Sequence, residues 1–463
     1  MSTLGARGNS PVTAAMLGGG YAAAPSFQHE QEATRSPLLL CVLTAAAILT
    51  LGLLQSNKAS GQVELIAGQA AVAVLAIAFV VFGLLGAGWH IKMPLETLLS
   101  VLFVVWALIG IFVAEEPSLL LQYYVSLVKM VALYVVFVNM VRTRKIFFWL
   151  AGAYVVTVLC FFVIGAKDLR AEEGTRAVGT TGDPNGLATY AIIAGVCAMV
   201  CFHVARRRFV KTLCLLAIPI FMWLVVNSGS RSGLGGVVLV SLGAYWWYIR
   251  ERVRDKGIVS KAAGLAVGAV VIASVLYIVM SGPFWYRIQK TFGVGEYAHT
   301  GGTLTSEARV NLVVSGVKLM AHHPLVGVGY FQYRMSIGEV NPSLVGMVSH
   351  NTWIEAGCGT GVPGLLLWLG AYVVLTHRIL KLRKNPRLNP IDRGVVALCM
   401  VFMAFWWFRS MFFIHLGDKI FLPLVGGITG YLSSLSREYA PAPAASAPLL
   451  GLRPRLREVA SGA

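Results

Sequence analysis

Apolar runs long enough to cross a bilayer, separated by loops whose charge alternates, constrain this chain more than any other feature. Roughly 17 to 25 apolar residues in a helix span about 30 Å of hydrocarbon. About twelve such runs occur, near 37–55, 63–87, 95–114, 118–140, 147–165, 187–204, 212–227, 233–249, 262–281, 351–377, 394–416 and 420–435. Inside lipid a lone segment satisfies its backbone polar groups only as a helix. The fold class expected is therefore an all-α polytopic membrane protein with about 12 transmembrane helices and a large periplasmic loop containing short helices. With 57% hydrophobic and 13% charged residues and a mean hydropathy of +0.72, the chain has too little polar surface to cover a soluble core.

The net charge of +18 would suit a nucleic-acid partner, but the basic residues sit in short loops at alternate crossings. Arg142 to Lys145, Arg206 to Lys211, Arg250 to Lys261 and Arg378 to Arg393 fall on one side of the membrane, which the positive-inside bias assigns to the cytoplasm. Both termini are then cytoplasmic, and no nucleic-acid partner is expected. Residues 1–35 are rich in Gly, Ala and Ser, lack an apolar signal core and precede a full-length span, so they are expected to form a disordered tail, as are residues 437–463. Helices are expected through 36–226, a core over 227–377 that includes a periplasmic loop at 282–350, and closing helices over 378–436. The seven cysteines lie in or beside spans, where they serve as packing residues. Cys197 and Cys201 share a helix face but have no His or carboxylate nearby to make a metal site.

Chemistry is expected on the outward side, where the longest segment lies. Within it, Ser306 precedes Val310, Val313, Val314, Val317 and Met320 at helical spacing, which predicts an amphipathic helix capped by Ser306 and ended by Pro324. The following Gly327-Val-Gly329 is either a turn that brings backbone close to a ligand or a tight re-entry.

Arginine on the outward face runs against the orientation bias and needs an anionic partner. Arg176 lies before Gly182-Asp183-Pro184-Asn185-Gly186, where Asp183 or Asn185 can cap the next helix and Pro184 fixes its entry. Arg176 itself is placed for a ligand or for an ion pair with Glu172 or Glu173. Arg231 stands in Gly229-Ser-Arg-Ser-Gly233 in a tight helical hairpin, where its planar fork can grip a phosphate beside a helix start or anchor to a lipid headgroup. Arg309, in the first turn behind Ser306, can join a helix N-terminus in holding one anion. Lys318, Arg287 and Arg334 are expected to be surface charges, and His322 and His323 helix-end residues. His350 heads Ser349-His-Asn351-Thr-Trp-Ile-Glu355, and its intrinsic pKa suits a base that takes a proton from a sugar hydroxyl, with Asn351 beside it and Glu355 a turn further in to orient it. The set predicts a pocket for a pyrophosphate-linked substrate.

Lys129 in mid-span and Arg409 near the outer end of its span are further candidates. A flippase or transporter would carry several such groups at the midplane together with broken helices in matched halves. Here the polar groups cluster at one face, which favours surface chemistry on a membrane-bound substrate.

Gly-Ser-Arg-Ser-Gly (229–233), Arg309 with Pro-Leu-Val-Gly-Val-Gly-Tyr-Phe (324–331), and Ser-His-Asn-Thr-Trp-Ile-Glu (349–355) together resemble the bacterial O-antigen ligase and O-antigen polymerase family over about 227–377, and Gly-Asp-Pro-Asn-Gly-Leu-Ala (182–188) resembles the stretch many members place ahead of it. The resemblance implies metal-independent transfer, without cofactor, of a glycan from undecaprenyl pyrophosphate to an acceptor hydroxyl at the periplasmic face of the inner membrane. Arg176, Arg231 and Arg309 would hold the pyrophosphate and His350 would activate the acceptor. Asp183, Asn351 and Glu355 would line the substrate. The partners implied are a lipid-linked glycan donor, membrane lipids, and a lipid A core, glycan or protein acceptor. Ligation, polymerisation of repeat units and transfer to protein remain open at this point.

Overall fold

The computed structural model describes residues 91–164, 183–249, 257, 302–416, 418 and 420–440. The predicted spans at 37–55, 63–87 and 262–281, the tail at 1–35, most of that at 437–463, and Arg176, Glu172, Glu173 and Arg287 lie outside the described residues. Among the described residues there is no strand, and ten long helices appear: α1 Leu95–Ile109, α2 Pro117–Met140, α3 Arg144–Ile164, α4 Pro184–Val204, α5 Arg208–Ser228, α6 Arg231–Ala244, α7 Gly302–His322, α8 Thr352–Arg383, α9 Pro390–Arg409 and α10 Phe421–Glu438. Nine of the twelve predicted runs therefore have their helix, with ends shifted by a few residues, and seven described helices are long and apolar enough to cross a membrane. The last helix runs to Glu438, two residues into the segment expected to be tail.

α9 is the hub, packed on α4, α6 and α8, while α10 lies along α2. Small residues set these distances. A Cβ on Gly426 would meet Tyr134 O and one on Gly430 would meet Val138 O, so the Gly-x-x-x-Gly face of α10 rests on the backbone of α2.

At one end of the bundle sit the basic turns. Asp392, buried, pairs with Arg144 at 2.8 Å and accepts from Tyr431, and Arg378 pairs with the buried Glu96 at 2.9 Å. The starts of α4, α6 and α8 and the end of α9 lie at the opposite end, as the alternating charge predicts.

α8 is broken at Gly361, whose φ of 69° lies in the left-handed region that favours glycine. In an unbroken helix Val362 N would donate to Cys358 O. Here Val362 N donates to Pro324 O (2.8 Å) and Val328 N donates to Cys358 O (2.8 Å), so the 324–328 turn is spliced into the gap. Gly327 (φ 74°) faces the backbone of α8, where a Cβ would land on Cys358 O and Gly361 N. Of the two readings of this glycine turn, the described contacts are those of a tight re-entry against protein backbone. The turn is also anchored to α1 and α2. Gln332 exchanges two side-chain hydrogen bonds with the backbone of Glu116, and Phe331 stacks on Tyr123 with ring centroids 3.8 Å apart.

The break also folds α8 back on itself. Trp407 meets Trp353 edge to face (5.8 Å) and donates its indole N–H to Thr376 Oγ1 (3.1 Å). A straight helix would hold residues 353 and 376 about 34 Å apart. The segment 352–360 is thus a short inward-turned leg that carries His350 and Asn351 at its start.

Candidate functional site

Two helix starts are sewn together at the outer end of α9. Asp183 caps α4, its carboxylate accepting from Asn185 N (3.1 Å) and Gly186 N (2.8 Å), with Pro184 at the first helical position as the sequence predicts. The α5–α6 hairpin is tight, turning at Gly229 (φ 56°), and Ser230 caps α6 by accepting from Gly233 N (3.1 Å). The Ser230 hydroxyl donates to Asn185 Oδ1 at 2.8 Å, which ties the α6 cap to the first turn of α4. Arg231 is the first residue of α6 and is exposed.

On the other side, Asn351 caps α8 by accepting from Trp353 N (2.9 Å) and Ile354 N (3.1 Å). His350 precedes it with φ of 49°, a strained conformation for a non-glycine residue that costs about 1–3 kcal/mol. Such strain persists only where the surroundings hold it, and here the cap on one side and Ser349 on the other do so. Ser349 Oγ donates to Glu355 Oε2 at 2.7 Å, and Glu355 is 3% exposed. This corrects the expectation that Glu355 orients His350: the carboxylate takes Ser349, and among the described residues no hydrogen bond holds the imidazole.

Arg309 and His350 share a cavity of about 270 Å³, walled by Val310, Val313 and Val314 of α7, Ser349, Met411 and Phe412. Two expectations about α7 are overturned. The helix begins at Gly302, so Ser306 lies within it and is not its cap, and Arg309 stands two turns in, beyond the reach of the helix N-terminus. In the valine row Val310, Val314 and Val317 are exposed, while Leu312, Ser315 and Leu319 are covered. Gly316 is the cause: a Cβ there would strike Ile354, and its carbonyl accepts from Cys358 Sγ (3.0 Å), so α7 turns its small residue toward α8 and its valines toward the cavity.

The charges act on one another. Burial, then the positive charge of Arg231, lowers the pKa of Arg309. Burial, then Arg309, with a smaller contribution from Arg409, pushes His350 below its ordinary value near 6.5, against an opposing pull from Asp183. The imidazole is therefore neutral at pH 7 and can accept a proton, in a site whose fixed charges favour an anion. Asp183, Arg231, Arg309, His350 and Arg409 form one electrostatic cluster drawn from α4, α6, α7, the 349–351 turn and α9.

The remaining candidates separate from it. Lys129 lies on an exposed face of α2 and Lys318 on that of α7. His322 closes α7, and His323 pairs with Glu339 at 2.8 Å. Arg334 is half-buried, not a free surface charge, and lies within electrostatic reach of Glu355. Cys197 and Cys201 are buried packing residues, and no group of metal-ligating side chains occurs among the described residues.

The sequence singles out Arg409 without assigning it a role, and it is 0% exposed. It donates to Thr189 Oγ1 (2.6 Å), Asn185 O (2.7 Å) and Ser232 Oγ. The signal was an arginine ending the aromatic run Phe405-Trp406-Trp407-Phe408, but nothing in the one-dimensional pattern says which neighbours it meets.

Residues 212–369, which carry Arg231, Arg309, His350, Asn351 and Glu355, match the O-antigen ligase family. No curated protein matches the chain.

Proposed function

We propose, for a chain whose residues 212–369 match the O-antigen ligase family, that it moves a glycan from undecaprenyl pyrophosphate to an acceptor hydroxyl at the periplasmic face of the bacterial inner membrane, with the lipid A core as acceptor. The single observation that carries this is the shared cavity of Arg309 and His350, with Arg231 within electrostatic reach of Arg309.

The neutral imidazole of His350 takes the proton of the acceptor hydroxyl as its oxygen attacks the anomeric carbon. The bond from that carbon to the pyrophosphate oxygen breaks, and the electron pair leaves with the diphosphate. Negative charge grows on the leaving group beside Arg231 and Arg309, whose guanidinium forks match phosphate oxygens, and Arg176 is proposed to add a third cation. Arg309 has a second effect, because its charge disfavours the imidazolium and so keeps the base free in the resting site. Asn351 and Asp183 contribute as caps that fix the turns of His350 and of α4, and Glu355 steadies Ser349 in the cavity wall. In this scheme the guanidinium groups neutralise the leaving group without a metal ion.

The experiment is transfer by the purified chain in proteoliposomes supplied with lipid-linked glycan and rough lipopolysaccharide. Formation of glycan-bearing lipopolysaccharide with release of undecaprenyl pyrophosphate is the expected result. Growth of the glycan on the carrier lipid alone would replace ligation by polymerisation, and no consumption of donor would reject transfer.

A further inference from the structure

The deepest charge near the cavity is one the mechanism above does not use. Arg409 ends α9, fully buried, with its guanidinium over the Phe413 ring (5.0 Å to the centroid). Its nitrogens point in three directions. Nε donates to Thr189 Oγ1 and Nη2 to Asn185 O in the first turns of α4, and Nη1 donates to Ser232 Oγ in the first turn of α6, next to Arg231. The residues that follow Arg409 hold the other half of the site. Ser410 O accepts from Thr352 N (2.8 Å), Phe413 O accepts from Thr352 Oγ1 (2.5 Å), and His415 N donates back to that hydroxyl (3.1 Å). Thr352 is two residues from His350.

From this geometry we infer that Arg409 is a positioning residue that sets the distance between the Arg231 turn and the His350 turn. This rests on the proposed transfer reaction. Burying a guanidinium costs several kcal/mol unless its hydrogen bonds are met. Those described here go to neutral oxygens on two separate helix starts, so they help to offset that cost when α4 and α6 are in register. Lysine carries the charge but lacks the planar fork that meets three acceptors at once. Among the described residues the groups acting on His350 are Arg309 from α7, Asp183 ahead of α4 and Arg409 from α9, so loss of Arg409 removes a cation that disfavours the imidazolium.

The test uses the full chain in nanodiscs and proteoliposomes, with Arg409→Met, Arg409→Lys and Ser232→Ala. Two readouts are taken: kcat and KM for lipid-linked donor, and the pH dependence of His350 modification by diethyl pyrocarbonate, read peptide by peptide. The buried His415 serves as the folding control. In the Met variant kcat is expected to fall about 100-fold, the cost of a small misplacement of reacting groups, with the His350 titration moved to higher pH. In the Lys variant the titration stays near that of the unaltered chain while kcat remains at least about 10-fold low. Ser232→Ala, which removes one acceptor, is expected to lower kcat several-fold with His415 still protected.

A Met variant with unaltered kcat and titration overturns the proposal. Should that variant expose His415, the Lys and Ser232→Ala variants decide, and full kcat in both overturns it. Failure of the functional reading is distinguishable: the unaltered chain would then consume no donor, while the His350 titration would still report whether Arg409 acts on it.

Discussion

Val362 donates its amide hydrogen to Pro324 across a break in α8, in place of the bond it would have made to Cys358. The re-entrant turn thereby completes a helix that Gly361 interrupts, and the inward-turned leg behind His350 depends on it. Gly327→Ala is expected to lower stability by about 1–3 kcal/mol, because a side chain at its positive φ is strained and its Cβ would strike the backbone of α8. Thermal unfolding of the detergent-solubilised protein measures this. Gly195→Ala in α4 is the control, since nothing lies within 4 Å of a Cβ there and its melting temperature should not fall.

His350→Ala is expected to reduce transfer by about 100-fold or more at neutral pH, the usual contribution of a general base. The assay is release of undecaprenyl pyrophosphate under saturating donor. Full activity in this variant would remove the base from the mechanism.

The pH dependence has a defined sign. Burial and Arg309 hold the His350 pKa below 6.5, so the base form persists at neutral pH and is lost as pH falls through that lowered value. Arg309→Ala removes a cation, so the acidic limb of kcat should move to higher pH as the rate itself drops. A limb that stays in place in this variant would dissociate Arg309 from the imidazole.

Arg231→Ala is expected to cost about 100-fold in kcat, as loss of a charge stabiliser does, and Arg231→Lys should recover only part of it if the grip on phosphate is bidentate. Steady-state kinetics on lipid-linked donor compares the two. Complete rescue by lysine would reduce the residue to a point charge.

Ser230→Ala deletes both the α6 cap and the tie to Asn185, and a lost cap costs about 1–2 kcal/mol. Amide hydrogen exchange across α6 reads this out. Protection at Gly233 N equal to that of the unaltered chain would show that the cap carries no weight.

Much of this was legible in one dimension. Asp183 and Pro184 start α4 where the Gly-Asp-Pro-Asn-Gly stretch predicts, and the Ser230 turn is as tight as its glycines suggest, because caps and turns are local chemistry. Arg309 and His350 could be proposed together only from their side of the membrane, yet they share a cavity. The rest was not legible in the pattern. The valines of α7 carry the right period, but Gly316 decides which face approaches α8, and no periodicity records where a partner helix lies. Ser306 had the composition of a cap, but the helix had already begun at Gly302. Arg409 escaped a role because its acceptors are 177 to 224 positions away in sequence.

The splice between 324–328 and the broken helix is written in main-chain atoms alone, which has a consequence for divergence. The side chain of Leu325, 71% exposed, takes no part in those bonds. Exposed side chains along this stretch are therefore free to drift, provided the left-handed Gly327 and Gly361 and the buried Val328 stay, and relatives that differ at those exposed positions can still hold the imidazole at the same address.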